Sequence, residues 1–365
     1  MNVCIVGDGL TSLSLAKNLI KKKINVHIYQ QKKISRQPTN RTIGISRKNF
    51  EFFNKDIEPF KKMNAWEINK IEIFSEKIKS GKILNFEKKN SSLFYMIRND
   101  QLYRLLNNKL SKSKFFKKIF IKENNFYQKI LKDKKYDLII NCDPFNHLAK
   151  KYFYKKIEKD YANLAYTVIL KHEKLNNKTA SQVFTKFGPI AFLPISNTET
   201  SIVCSLDVKN YKYNKKEILD LIKKYNLKLK IKKFLKLESF KLQSASLRNY
   251  YYKNILMFGD SLHKIHPLAG QGFNMTIRDI NTLSDIIQNK IDLGMTLDTL
   301  IFDEFEKKSK HVNFIFSSAI DFIYEFFNFD KKNKNESLNK VLKLLGKNKK
   351  LNSLIVKYAD NGLSI

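Results

Sequence analysis

The sequence predicts an α/β protein: a Rossmann-like domain, a β-rich domain inserted within it, and a C-terminal helical region. Three observations predict it. The N-terminus reads as strand, Gly-x-Gly turn, helix, strand. A second strand–turn–helix unit begins at Ile255. Between the two lies a series of short apolar segments with strand-like alternation.

The first unit opens with the apolar run Val3-Cys4-Ile5-Val6, followed by Gly7-Asp8-Gly9-Leu10-Thr11-Ser12 and a periodic segment from Leu13 to Leu19. Val26-His27-Ile28-Tyr29 supplies the next strand. This order is the dinucleotide fingerprint. Gly7 makes the turn and Gly9 lets the backbone approach a pyrophosphate, while Leu10 and Thr11 open the helix. Ser12 stands for the third glycine and is small enough for close helix–strand packing. The acid expected after the second strand is absent. Gln30 stands there and can bond a ribose hydroxyl without charge assistance.

The second unit carries more information. After Ile255-Leu256-Met257-Phe258 come Gly259 and Asp260, a loop with Pro267, Gly270 and Gln271, and a helix from Gly272, Phe273 and Asn274 to about Ile287. A strand-end acid, a Gly-Gln-Gly turn and a helix N-terminus suit a flat, electron-rich ligand. Residues 259–279, GDSLHKIHPLAGQGFNMTIRD, closely resemble the second flavin-binding motif of class A flavoprotein monooxygenases. They are most similar to the ubiquinone-biosynthesis hydroxylase branch, which has a p-hydroxybenzoate hydroxylase-like fold. The paired motifs point to FAD.

That resemblance implies roles for further residues. Arg41, the first residue of a third strand at residues 41–46, lies near the flavin; the residues alone also allow a solvated strand end. Asn99 touches the flavin or caps the helix that carries Leu105, Leu106 and Leu110 on one face. Pro267, Gly270 and Gln271 lie beside the ring. Residues 137–143 form a strand ending in Asp143, where the family continues Asp-Gly. Here Pro144 follows, with fixed φ and no N–H, and His147 and Lys150 stand where the family places Ser and Arg. The family's pyrophosphate and NAD(P)H contacts at this segment are therefore altered, and Asp143 reads as a turn residue. His263 and His266 shape the loop rather than move protons.

Residues 50–64 read as helix and 69–75 as a strand with one exposed face. Further strands are expected at 164–170, 182–185, 190–193 and 201–206. The Gly188-Pro189 hairpin resembles the family's sheet over the flavin. The corresponding division assigns residues 1–65, 95–155 and 245–310 to the FAD-binding domain, 66–94 and 156–244 to the β-rich substrate domain, and 311–365 to C-terminal helices.

Composition narrows the functional classes. The formal charge is +35, yet only seven of the 69 basic residues are arginine; the lysines are spread along the chain. Base readout favours arginine forks, so specific nucleic-acid binding is not expected. Attraction to an anionic membrane surface fits better. Cys4, Cys142 and Cys204 are far apart in apolar contexts, so a disulfide framework or zinc site is not expected. With the N-terminus entering a strand directly, no signal peptide and a reducing cytoplasmic setting are expected, with peripheral attachment at the inner membrane face. Residues 311–329 hold no lysine or arginine and read as a buried helix; Asp321 and Glu325 argue against a bilayer span. Residues 337–357 are basic and amphipathic, with Lys340, Lys343 and Lys347, and suit either a membrane surface or a packed helix.

The resemblance implies an FAD-dependent hydroxylase acting on an aromatic ring, with a prenylated phenolic intermediate of quinone synthesis as substrate. In such enzymes reduced flavin reacts with O2 and the flavin hydroperoxide passes one oxygen atom to the ring. No catalytic side chain is then required, because the flavin carries the chemistry. NAD(P)H or a separate donor supplies electrons. Two other readings remain: a different flavin oxidoreductase, such as a prenyl reductase, and a non-catalytic FAD-binding scaffold in a quinone-synthesis assembly. A halogenase lacks support, since Trp66 is the only tryptophan.

Overall fold

The computed structural model describes residues 1–31, 41–60, 65–76, 82–87, 91–121, 126–132, 135–209, 211–265 and 272–332. Two large sheets and one small one organise them.

The six-stranded sheet runs, in spatial order, Tyr251–Tyr252, Ile255–Met257, Leu138–Asn141, Asn2–Val6, Asn25–Gln31 and Phe116–Ile121. Its last five strands are mutually parallel. The three inner strands Ile255–Met257, Leu138–Asn141 and Asn2–Val6 are apolar runs that expose almost nothing, as strands covered on both faces do. The helix Leu10–Lys21 packs its Leu13, Ala16 and Leu19 against them, joined by Leu102, Leu106 and Leu110 of the helix Asn99–Leu110. Leu105 therefore does not belong to the buried stripe; the true seam has the i, i+4, i+8 spacing of one helix face.

The nine-stranded sheet begins with His263–Lys264, Glu238–Leu247, Lys156–His172 and Glu199–Asp207. It continues through Gly188–Pro194, Thr179–Thr185, Lys70–Ser75 and Lys82–Glu87, and Ile231–Phe234 pairs beside Lys156–His172. One face is covered by the helix Lys215–Tyr225, whose Ile218 and Ile222 meet Val168, Ile190 and Ile202. A capping box between Asn214 and Glu217 starts that helix. The four strands expected between residues 164 and 206 all form. The first is longer than expected, with a register shift between Asp160 and Asn163 and Ala162 at φ 53°.

The small sheet pairs Thr42–Ser46 and Trp66–Ile68 with the two sides of Phe94–Arg98. It is linked to the large sheet by a hydrogen bond from Thr42 Oγ1 to Ser201 Oγ (2.9 Å) and an ion pair between Arg98 and Glu199 (3.2 Å).

Two expectations are corrected. The helix expected over residues 50–64 is a short α-helix, Arg47–Phe52, that widens into a π-turn, Phe53–Ile57, and ends before the buried Glu58, which pairs with Lys17 at 3.0 Å. The segment 311–329 lies inside a longer helix, Leu300–Lys332. It is not buried all round: Ile320 and Tyr324 face the protein, whereas Phe314, Ile315 and Phe322 are exposed. No helix among the described residues is long and apolar enough to cross a membrane. Residues 337–357 lie outside the described residues.

Candidate functional site

The strand Asn2–Val6 ends at Gly7, whose φ of +103° turns the chain sharply and whose N–H donates to the Tyr29 carbonyl at 2.8 Å. Gly9 then caps the helix Leu10–Lys21, with no side-chain cap hydrogen bond among the described residues. A Cβ on Gly9 would meet nothing within 4 Å. The turn thus presents backbone donors and the positive end of a helix to open space, which is the physical requirement for holding a phosphate.

The second motif arrives two strands away in the same parallel sheet. The strand Ile255–Met257 leads through buried Phe258 to Gly259 and Asp260. Gly259 has φ +67°, and a Cβ there would stand 2.4 Å from Thr11 Cγ2. The two motifs therefore touch through Gly259 and Thr11. Asp260 is solvent-exposed, but protein crowds its flanks; desolvation raises its carboxyl pKa, against the pull of His263, Lys264 and Arg41.

Arg41 and Asn99 join this edge. The Asn99 N–H donates to the Arg41 carbonyl (3.0 Å), and the Arg41 guanidinium lies 4.3 Å from the centre of the Phe240 ring. Asn99 is the first residue of its helix, with Arg98 at the cap position, so the capping role expected for its side chain is not what the structure shows. Its Oδ1 is buried with no hydrogen-bond partner among the described residues, an acceptor suited to a ligand donor. Gln30 is half-buried near the end of its strand. Gly272 opens the helix Gly272–Asp292, where an added Cβ would meet nothing within 4 Å among the described residues, and Phe273 beside it is half-buried.

Asn274 is buried and fully engaged by protein. Its Oδ1 accepts from the Ser46 N–H (2.8 Å) and Asn49 Nδ2 (3.0 Å), and its Nδ2 donates to the Gly44 carbonyl (2.8 Å). Its side chain clamps the helix to the strand Thr42–Ser46. Pro267, Gly270, Gln271 and His266 lie outside the described residues.

Asp143 behaves as a turn residue: its Oδ1 accepts from the Phe145 N–H at 2.9 Å. Its neighbour Asn141 is buried and exchanges side-chain hydrogen bonds with Asn146. His263 is buried against Asp279, whose other oxygen accepts from Asn313 Nδ2 (3.0 Å), as a loop-shaping histidine would be.

Sequence reading missed a cluster at the first turn. Tyr103 Oη donates to Asp8 Oδ2 (3.1 Å), and Lys118 Nζ reaches Tyr103 Oη (3.2 Å), Asn107 Oδ1 (3.1 Å) and Asp8 (3.7 Å). Burial first, then Asp8, pushes the Tyr103 phenol up to about 12, so it remains a donor. The acid within a phosphate-type turn was the available signal. A third apolar cluster combines Tyr161, Leu242, Ile265, Met275, Ile320 and Tyr324, with Phe184, Phe240 and Phe316 at its margin. It joins the large sheet to the helices Gly272–Asp292 and Leu300–Lys332.

The paired turns on one parallel sheet, with a large β-sheet packed beside them, define the fold of the FAD-dependent aromatic monooxygenases. The solved structure of Klebsiella pneumoniae HpxO complexed with FAD and uric acid superposes with a TM-score of 0.75 at 11% identity, covering all of this chain and 97% of that one. The family model for squalene epoxidase matches residues 135–357, more than half of the sequence, and the chain belongs to that family. Among named relatives, the mitochondrial ubiquinone biosynthesis monooxygenase COQ6 of Dictyostelium discoideum is 23% identical over 418 aligned positions, 89% of this chain and 84% of that protein. A shorter match, 28% identical over 176 residues, joins 46% of this chain to 44% of the 3-demethoxyubiquinol 3-hydroxylase of Escherichia coli.

Proposed function

We propose that the chain is an FAD-dependent monooxygenase that hydroxylates an aromatic ring in ubiquinone biosynthesis. The observation that carries this reading is the contact of Gly259 with Thr11, which brings Asp260 and the Gly7–Gly9 turn to one edge of the parallel sheet. Gly7, Gly9, Leu10 and Thr11 would hold the pyrophosphate through backbone donors, and Gln30 a ribose hydroxyl. Asp260 would accept from a hydroxyl of the flavin chain. Arg41, Asn99 and the segment from Pro267 to Asn274 would surround the ring. Bound FAD would supply oxygen activation after reduction by NAD(P)H or a separate donor. The protein's part is to bind, orient and exclude water, which suits the apolar cluster of Phe184, Phe240, Ile265 and Met275 beside this edge.

The substrate we infer is a prenylated phenol, a reading in keeping with a relative named for ubiquinone biosynthesis. Such a molecule partitions into lipid. The exposed Phe314, Ile315 and Phe322, together with the chain's excess of lysine, support peripheral attachment to an anionic membrane surface. Partner proteins of quinone synthesis belong to the same reading.

One observation favours a second reading, a flavin-binding scaffold without turnover: Asp143 is folded into its own turn ahead of Pro144. The test is the absorption spectrum and cofactor mass of the purified protein, followed by NAD(P)H-driven oxygen uptake with a prenylated phenol. One added oxygen in the product supports the hydroxylase. Bound FAD without product under reducing conditions supports the scaffold, and absence of flavin removes both.

A further inference from the structure

The Gly7–Gly9 turn contains an acid, and a bound pyrophosphate is a dianion. Two like charges at such a turn oppose each other, the more so beside low-dielectric protein. Asp8 is not left to face the turn alone. Its carboxylate is drawn toward the helix Asn99–Leu110 and the edge strand Phe116–Ile121, where Tyr103 donates to it and Lys118 stands 3.7 Å away. Lys118 is itself fixed by Tyr103 Oη and Asn107 Oδ1. The Lys118 side chain is only 23% exposed, so this arrangement is screened less than a surface ion pair.

We propose that Lys118 and Tyr103 are positioning residues for the cofactor: they neutralise and turn aside the Asp8 carboxylate so that the Gly7–Gly9 turn accepts a pyrophosphate. The proposal rests on the reading of that turn as the FAD pyrophosphate seat. Lys118 acts through Asp8, so its importance depends on the charge at position 8. Replacing Lys118 exposes the carboxylate's repulsion; replacing Asp8 removes the need for Lys118.

The test is a double-mutant cycle on FAD affinity, measured by flavin fluorescence titration of the apoprotein, with thermal unfolding of each variant as the folding control. Lys118→Met should weaken FAD by at least about tenfold, the effect of losing one charge-assisted contact. Asp8→Asn should bind as tightly as the wild type or more tightly. In the Asp8→Asn background, Lys118→Met should cost no more than about threefold, a coupling a purely structural lysine would not show. Tyr103→Phe, the mildest change, should weaken FAD in the wild-type background and not in Asp8→Asn, and it decides the matter should Lys118→Met fail to fold. An undiminished Lys118→Met loss in Asp8→Asn would overturn the proposal, as would a large loss from Asp8→Asn itself, which would make Asp8 a direct ligand. Wild-type protein that binds no FAD would overturn the seat assignment and this proposal together, whereas wild-type binding with an additive cycle would overturn this proposal alone.

Discussion

Nε2 of His263 lies 2.5 Å from Oδ2 of Asp279, and neither side chain reaches solvent. The pair joins the short strand His263–Lys264, which borders the large sheet beside Ser246, to the helix Gly272–Asp292. Asn313 extends it to the helix Leu300–Lys332.

Breaking one side of this pair strands the other. Asp279→Ala leaves a buried imidazole and the Asn313 amide without their acceptor and should destabilise by about 3–5 kcal/mol in urea unfolding. Replacing both His263 and Asp279 by Leu should cost less than Asp279→Ala. A single-variant loss below about 1 kcal/mol would show that the contact contributes little.

The two turn glycines should separate stability from binding. Gly259→Ala places a Cβ at positive φ against Thr11 and should destabilise by about 1–3 kcal/mol. Gly9→Ala meets nothing within 4 Å and should change stability by no more than about 0.5 kcal/mol, yet weaken FAD by obstructing backbone approach. Thermal unfolding paired with flavin titration reads both; equal destabilisation by the two would refute the distinction.

Asp260→Ala should weaken FAD by about one to two orders of magnitude, as expected for a lost charged hydrogen bond. Gln30→Glu should tighten it by about 1 kcal/mol, because the carboxylate restores charge assistance to the ribose contact. An unchanged dissociation constant for Asp260→Ala would remove that residue from the site, and looser binding by Gln30→Glu would show that position 30 faces elsewhere.

No disulfide joins the three cysteines, and burial pushes the Cys142 and Cys204 thiols up to about 12 from an ordinary 9.0. Cys204, which is buried, should resist a thiol-reactive dye at pH 8 in the native state and react at once in urea, with the half-buried Cys142 labelled before it. Folded pKa values above unfolded ones mean that the fold holds these protons more tightly. Their contribution to stability is complete below about pH 9 and falls away as the pH rises toward 12. Rapid native labelling of Cys204, identified by peptide mass, would contradict this burial.

The amino-acid sequence by itself determined the local units. Val3–Val6, Gly7, Gly9 and the segment to Leu19 specify strand, turn and helix through apolar period and glycine placement, and Ile255–Asp260 does the same at the second turn. Their flavin-motif character was legible for that reason. Only the tertiary structure decided which side chains those units bring together. Strand order sets Leu138–Asn141 between the two motif strands and carries Lys118 to Asp8, 110 residues away. It engages the Asn274 amide with Gly44, Ser46 and Asn49 rather than with a ligand. It also leaves Phe314 and Phe322 exposed on a helix whose uniform apolarity read as burial. The physical reason is range: periodicity reports which face of an element is apolar, whereas a partner more than a hundred residues distant is chosen by sheet pairing and helix docking, which no local pattern records.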